Sequence, residues 1–267
     1  MAIGGLRMGA ILLVWPGAIA IGLSLGLLGS GGSILTVPVL VYLVGQEEKV
    51  AIAGSLAIVG LIALAGVLPY LRRGLVDWRS VVLFGLPGML GTYGGAWASV
   101  FVSGLVQLVA FAGVMLLAAW FMLKPAVAAP VPVPGGSRSP YKIMLEGLVV
   151  GIVTGFVGVG GGFLVVPALV LLGGLPMQRA VPTSLAIIAL KSFTGFVKYL
   201  DVIETRNLEI DVQVILSVAA IGVIGSYLGS AVAMRMPQHT LKRVFGVFLV
   251  GMGMFILYRS VPTIIGA

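Results

Sequence analysis

Polar residues along this chain come in short clusters, and the apolar stretches between them approach the roughly 20 residues a helix needs to cross a bilayer. The stretches fall at about 8–28, 34–44, 50–70, 80–99 and 104–123, and again at about 143–157, 163–173, 178–199, 210–233 and 241–258. Two of them are interrupted by glycine, in "GLLGSGGSILTVP" at 26–38 and "GFVGVGGGFLVVP" at 155–167. The pattern predicts an all-α, polytopic integral membrane protein with helix breaks at 29–33 and 158–162.

The two glycine phrases belong to a longer repeat. Shifted by 129 residues, Gly26, Gly29, Gly31, Gly32 and Pro38 fall on Gly155, Gly158, Gly160, Gly161 and Pro167. In the same register Ser55 meets Ser184, Gly66 meets Gly195 and Tyr70 meets Tyr199. A five-residue insertion then changes the shift to 134, and Asp77, Gly91, Gly95 and Phe111 meet Asp211, Gly225, Gly229 and Phe245. One register held over about 110 residues is the signature of internal duplication. The expected organisation is a first transmembrane repeat at 1–124, a Pro/Gly-rich linker at 125–140 and a second repeat at 141–267, each a glycine-broken segment followed by three helices.

A broken segment can cross once or fold back as a re-entrant hairpin. Residues 143–172 as a single helix would reach about 45 Å at ~1.5 Å per residue, against a hydrocarbon core of about 30 Å. Two shorter pieces meeting near mid-membrane fit better. A hairpin plus three crossings makes each repeat odd in its number of crossings, so the two copies would be inverted relative to each other, as in many secondary transporters.

Composition supports the membrane reading and narrows the rest. The 267 residues are 60% hydrophobic and 9% charged, too few charges to cover a soluble exterior. The net charge of +8 is spread over short loops, as with Arg72, Arg73 and Arg79 or Arg235, Lys242 and Arg243, which is an orientation pattern and not a nucleic-acid patch. There is no cysteine, so neither disulfides nor a thiolate site arise, and the single histidine, His239, sits in a basic loop. The first apolar stretch has a counterpart in the second half and reads as structure, not as a cleaved signal.

Unwound backbone at membrane depth must face protein or a water-filled cavity. Beyond each break a short helix begins, and its free N–H groups and positive dipole end would point to the protein centre, a setting suited to an anion. The candidate donors are the backbone at Gly31, Gly32 and Ser33 and at Gly160, Gly161, Gly162 and Phe163. A dinucleotide fold would need a strand before the glycines and an acidic residue about 20 positions beyond them; the second phrase follows a helical membrane segment and has Gln178 and Arg179 at that distance. Gly91, Gly95, Gly225 and Gly229 read as packing glycines, inside one chain or between two, which leaves a homo-oligomer open.

One charge lies deep in an apolar stretch. Lys191, in "AVPTSLAIIALKSFTGFVKYL", sits where a lysine costs about 2.5–3.5 kcal/mol on insertion scales, and its counterpart in the first repeat is Ile62. Helical spacing places Ser184, Ile188, Lys191, Gly195 and Lys198 on one face, so Ser184, with Thr183 beside it, adds hydroxyls near the ammonium. Lys198, near the helix end, reads as interfacial. None of the eight carboxylates falls clearly at mid-membrane, which argues for an anionic substrate and against cation or proton pumping through a buried acid. Catalytic residues, metal ligands and cofactors are not expected, because the usual nucleophile, base or metal set is missing.

The paired phrases, with "RAVPTSLAII" after the second, resemble the sulfite exporter TauE/SafE family, also called the 4-toluene sulfonate uptake permeases. The resemblance covers nearly the whole chain. It implies a carrier of sulfite or small sulfur-containing organic anions in the lipid bilayer of a prokaryotic cytoplasmic membrane. The first copy departs from the fuller pattern, with Ser33 in place of a third glycine and "AIAGSLAIV" where the second has a threonine–serine pair. The alternatives are a passive anion channel and a membrane assembly or binding subunit that transports nothing alone.

Overall fold

The computed structural model describes residues 8–124, 139–157, 162–205 and 208–265, and all their regular structure is helical. Most of the expected linker, and residues 158–161 of the second break, lie outside the described residues. The helices are α1 (Met8–Leu28), α2 (Gly31–Pro38), α3 (Glu48–Gly66), α4 (Leu68–Leu71), α5 (Trp78–Ala98) and α6 (Gly104–Leu123). They are followed by α7 (Pro140–Val157), α8 (Gly162–Pro167), α9 (Met177–Thr205), α10 (Val212–Ala233) and α11 (Gln238–Ile265). Seven spans among the described residues are long and apolar enough to cross a membrane: Glu48–Leu71, Trp78–Phe101, Gly104–Leu123, Pro140–Val157, Met177–Thr205, Val212–Ala233 and Gln238–Ser260.

The first broken segment folds back on itself. Gly29 takes φ = 72°, a left-handed conformation that glycine adopts without penalty, and the chain reverses there. Gly32 lies against Ile21 and Leu25 of α1, whereas Val39 and Leu43 lie against Gly17. Partners on α1 thus fall in number as the returning chain rises, which is antiparallel packing. The first break is therefore a hairpin, whereas the turn of the second, for which the length was reckoned, lies outside the described residues.

The returning limbs share a further detail. α2 and α8 each reach a proline, Pro38 or Pro167, and then continue for five residues as a π-helix, Val39–Leu43 and Ala168–Leu172. Proline has no N–H and crowds the carbonyl four residues back, so the i→i−4 ladder is already interrupted where the wider turn begins. Both limbs close on a left-handed glycine, Gly45 at φ = 79° and Gly174 at φ = 62°, again 129 positions apart.

Helix pairing has the same internal correspondence. α1 packs on α10 and α5 on α7, while α3 meets α9, α6 meets α11 and α2 meets α8. Exchanging the two halves turns the first pair into the second and returns each of the other three to itself. The contacts match residue by residue. A methyl group added at Gly22 would overlap Gly222 O, and one at Gly151 would overlap Gly88 O. Gly26 lies on Ser226 O and Gly155 on Thr92 O; Gly229 lies on Leu23 O and Gly95 on Ile152 O. In lipid no hydrophobic force drives helices together, so close backbone approach through small residues has to supply the contact. Gly91, Gly95, Gly225 and Gly229 therefore pack within one chain.

The outer surface is apolar, with Leu90, Leu117, Val197 and Ile224 exposed as residues facing acyl chains would be. All four tryptophans are exposed as well, and Trp78, Trp97 and Trp120 stand near helix ends, the level of an aromatic belt.

Gly22→Ala is expected to destabilise the protein by about 1–3 kcal/mol, because α1 and α10 must part to admit the methyl group. Gly113→Ala, in open space on α6, should instead be neutral or stabilising by up to about 1 kcal/mol through helix propensity. Thermal unfolding of the two variants in detergent checks the contrast.

Candidate functional site

The hairpin tips gather hydroxyls. The last carbonyls of a helix have no partner within it, and Gly26 O near the end of α1 is such a group. Tyr70 donates its hydroxyl proton to Gly26 O at 3.0 Å, and its repeat counterpart Tyr199 donates to Gly155 O at 3.3 Å. Ser184 Oγ lies 2.9 Å from Gly29 O and 2.7 Å from Val181 O, so its one proton bonds either carbonyl. The hydroxyl that holds the first break thus comes from α9, in the other half of the chain.

The expected site residues separate into distinct environments. Gly31 and Gly32 open α2 and pack against α1, where a Cβ on Gly31 would stand 2.9 Å from Ser24 O and one on Gly32 2.7 Å from Ile21 O. Ser33 is in the first turn of α2, and Gly162 opens α8. Gly160 and Gly161 lie outside the described residues. Phe163 is fully buried with its ring edge-on to Phe111, 5.2 Å between centroids. Thr183 Oγ1 accepts from Asp77 N at 2.9 Å, so its side chain docks the start of α5 and does not reach the break.

Lys191 stands at the midpoint of α9 and is fully buried. Its Nζ donates to Thr154 Oγ1 at 3.1 Å, and Thr154 in turn donates to Val150 O at 2.7 Å. Among the described residues no carboxylate pairs with the ammonium. The stem runs past Gly88, whose absent Cβ would lie 3.2 Å from Cδ. In the other half Ile62 fills the equivalent groove against Gly222. An isoleucine therefore satisfies the packing, and the lysine adds a charge that the packing does not require. Lys191 and Ser184 share a helix face, but seven residues of helix separate them by about 10 Å, so Ser184 lies on the first break while the ammonium lies on Thr154 of α7. Lys198, placed at the interface by its sequence position, forms an ion pair with Asp201 at 2.7 Å.

Other polar groups in this region were not singled out by the sequence. Lys49 is buried at 1% exposure, and donates to Ser99 O at 2.7 Å and to Gln107 Oε1. Gln107 Nε2 donates to Tyr199 Oη at 2.9 Å and to Phe156 O. Lys49 reads from sequence as one more loop base. The available signals are Gln107, a lone polar residue inside "GLVQLVAFAG", and the match of the two tyrosines across the repeat. Among the described residues no three His, Asp or Glu side chains gather as a metal site would require.

The profile of the sulfite exporter TauE/SafE proteins matches residues 14–256, across both hairpins and every helix between them. The chain belongs to that family. Its sequence is 32% identical to a probable membrane transporter protein of Xylella fastidiosa over 245 residues, 90% of this chain and 92% of that protein. It is 28% identical to the probable membrane transporter protein YunE of Bacillus subtilis over 95% of this chain and 99% of the relative. A probable membrane transporter protein of Methanocaldococcus jannaschii is 25% identical over 92% and 96% of the two chains. No solved structure matches. This TauE/SafE protein is a multi-pass membrane transporter.

Burial of the Lys191 ammonium against a neutral hydroxyl predicts a trade between stability and function. Replacing a buried charge by an apolar residue of similar volume is often neutral or stabilising by about 1–4 kcal/mol. Lys191→Met should therefore melt at or above the wild-type temperature, whereas Thr154→Val, which strips the ammonium of its partner, should lose about 1–3 kcal/mol. Parallel melts in detergent check both.

Proposed function

We propose that this transporter exports sulfite or a small organosulfonate across the cytoplasmic membrane by alternating access between two inverted repeats. The anion sits among the glycine breaks, with its charge met by Lys191. The observation that carries the reading is the Lys191 ammonium: central in α9, fully buried, and bonded among the described residues to Thr154 alone. An ammonium has three donors, so two remain for anionic oxygens. A buried cation without a carboxylate calls for a mobile counter-charge, and intramembrane lysines are by default functional.

Further support comes from the hairpins. α2 and α8 begin at the breaks and touch, so the first N–H groups of α2, at residues 31–33, and of α8, at residues 162 and 163, are suited to supply neutral donors from both halves. Ser184 keeps the first break in shape, and Thr183 fixes α9 to the start of α5. The family's description as sulfite exporters supports the choice of substrate and direction. Sulfite and sulfonates present three oxygens about one sulfur, a shape that several convergent donors can surround better than a single charge can.

The test is counterflow in proteoliposomes, with radiolabelled sulfite or methanesulfonate outside and the unlabelled anion inside. Wild-type protein should accumulate label transiently, and Lys191→Met, folded and at least as stable, should fall by tenfold or more, about 1.4 kcal/mol of transition-state stabilisation. Flux that neither saturates nor responds to internal anion would indicate a channel. Equal counterflow by the Met variant would remove Lys191 from the site.

A further inference from the structure

The helix contacts sort the basic residues by membrane face. α5 and α7 run parallel, with Gly147 on Phe84 O and Gly155 on Thr92 O, so their starts, which carry Arg79 and Lys142, lie together. α6 and α11 run antiparallel, with Gly246 against Leu123 and Gly253 against Leu116, so Lys124 lies by the start of α11, where Lys242 and Arg243 stand. One cavity joins these ends, lined by Arg73 from the turn before α5, Gln178 of α9, Met234 after α10 and Leu241 of α11. Arg72, Arg179 and Arg235 adjoin these residues in sequence. Lys49, Lys198 and Arg259 belong to the opposite face. Lys49 bonds Ser99 O after α5, Lys198 stands by Tyr93 late in α5, and Arg259 stands over Tyr42 in the returning limb of the first hairpin. With Lys191 set apart as central, the described Lys and Arg thus divide nine to three. By the positive-inside bias the face with nine is cytoplasmic.

The cavity on that face has a volume of about 210 Å³, room for several water molecules or a small oxyanion. Arg73 and Gln178 are exposed in its wall, and among the described residues neither side chain is hydrogen-bonded or ion-paired. Between them they offer five guanidinium and two amide N–H donors. No acid lines the cavity beside them. Its inner end reaches the first break: Val181 Cα would stand 2.8 Å from a Cβ on Gly29, and Tyr70, also in the wall, bonds Gly26 O. We propose that this cavity is a cytoplasmic capture site for the transported anion, in which Arg73 and Gln178 hold the oxyanion group beside the first break. This rests on the transporter reading. A guanidinium fork matches two oxygens of a sulfite or sulfonate group, and the amide is a donor for the third. Of the nine bases on this face, Arg73 alone lines the cavity, so the others concentrate anions near the surface while Arg73 gives them a place to stop.

The chain has no cysteine, so a single engineered thiol reports on the cavity without background. Leu75→Cys places one in the wall, and Met234→Cys serves if that variant does not elute as a monodisperse species. A membrane-impermeant maleimide should label the thiol in inside-out vesicles and spare it in right-side-out ones. Methanesulfonate should slow the labelling. Arg73→Gln should raise the concentration for half protection by about tenfold, the loss expected for a charged hydrogen-bonding partner. Arg72→Gln removes the same charge just outside the lining and, at physiological salt, should change that concentration by less than about twofold. Labelling at least as fast in right-side-out vesicles, or none in either, overturns the proposal. So does labelling that methanesulfonate leaves unchanged, or protection that the two arginine variants weaken equally. Protection in a protein that shows no counterflow would keep the site and remove the carrier reading; counterflow without protection would do the reverse.

Discussion

A helix that stops within a bilayer leaves its last carbonyls and the next helix's first N–H groups with no water to bond, at a cost of several kcal/mol per group. The hairpins impose that cost twice, and much of the buried polar chemistry offsets it. Tyr70 and Tyr199 reach the ends of α1 and α7, and Ser184 reaches the first turn itself. These hydroxyls arrive only because α3, α4 and α9 lie against the hairpins. That placement depends in turn on α1 closing on α10 and α5 on α7 through glycine. A larger residue at Gly26 or Gly155 would act at two levels, forcing a helix pair apart and moving a carbonyl away from its tyrosine.

The same pairing interleaves the two halves. α1 takes its close partner from the second half and α7 takes its own from the first, while Ser184 of the second half holds the break of the first. The break is thus a property of the assembled pair. A site placed there is built from both halves, and movement between the halves alters it without any change in local secondary structure.

Much of this was legible in the sequence. The apolar stretches match the observed helices to within a few residues at most boundaries, and the register shifts of 129 and 134 reproduce the helix contacts. The reason is physical: close backbone approach in lipid tolerates only small side chains, so glycine positions record the contacts directly. Lys191 was legible because a charge inside an apolar run has few bland explanations. Lys49 was not, since a lysine one residue into a helix looks the same whether it snorkels or turns inward to Ser99 O. Thr183 and Ser184 could not be told apart for a related cause: adjacent residues on a helix point about 100° apart, so Ser184 bonds Gly29 O while Thr183 meets the start of α5.

The differences between the halves carry the remaining argument. Two identical inverted repeats would give the two access states equal free energy, with neither favoured until a ligand or gradient intervened. Many buried polar positions differ across the register: Lys191 corresponds to Ile62, Lys49 to Gln178, Gln107 to Leu241, Thr154 to Leu25 and Thr36 to Val165. Lys191 replaces an isoleucine that packs equally well, so it adds charge without changing shape. Lys49 and Gln107 stand where the other half has Gln178 and Leu241, and they add cross-links without adding a helix; Ser99 joins through its backbone carbonyl, a group that Ala233 also carries. Neither difference disturbs the glycine contacts that hold both halves together. The glycine contacts are thus common to both halves, and the buried polar residues are what set the halves apart.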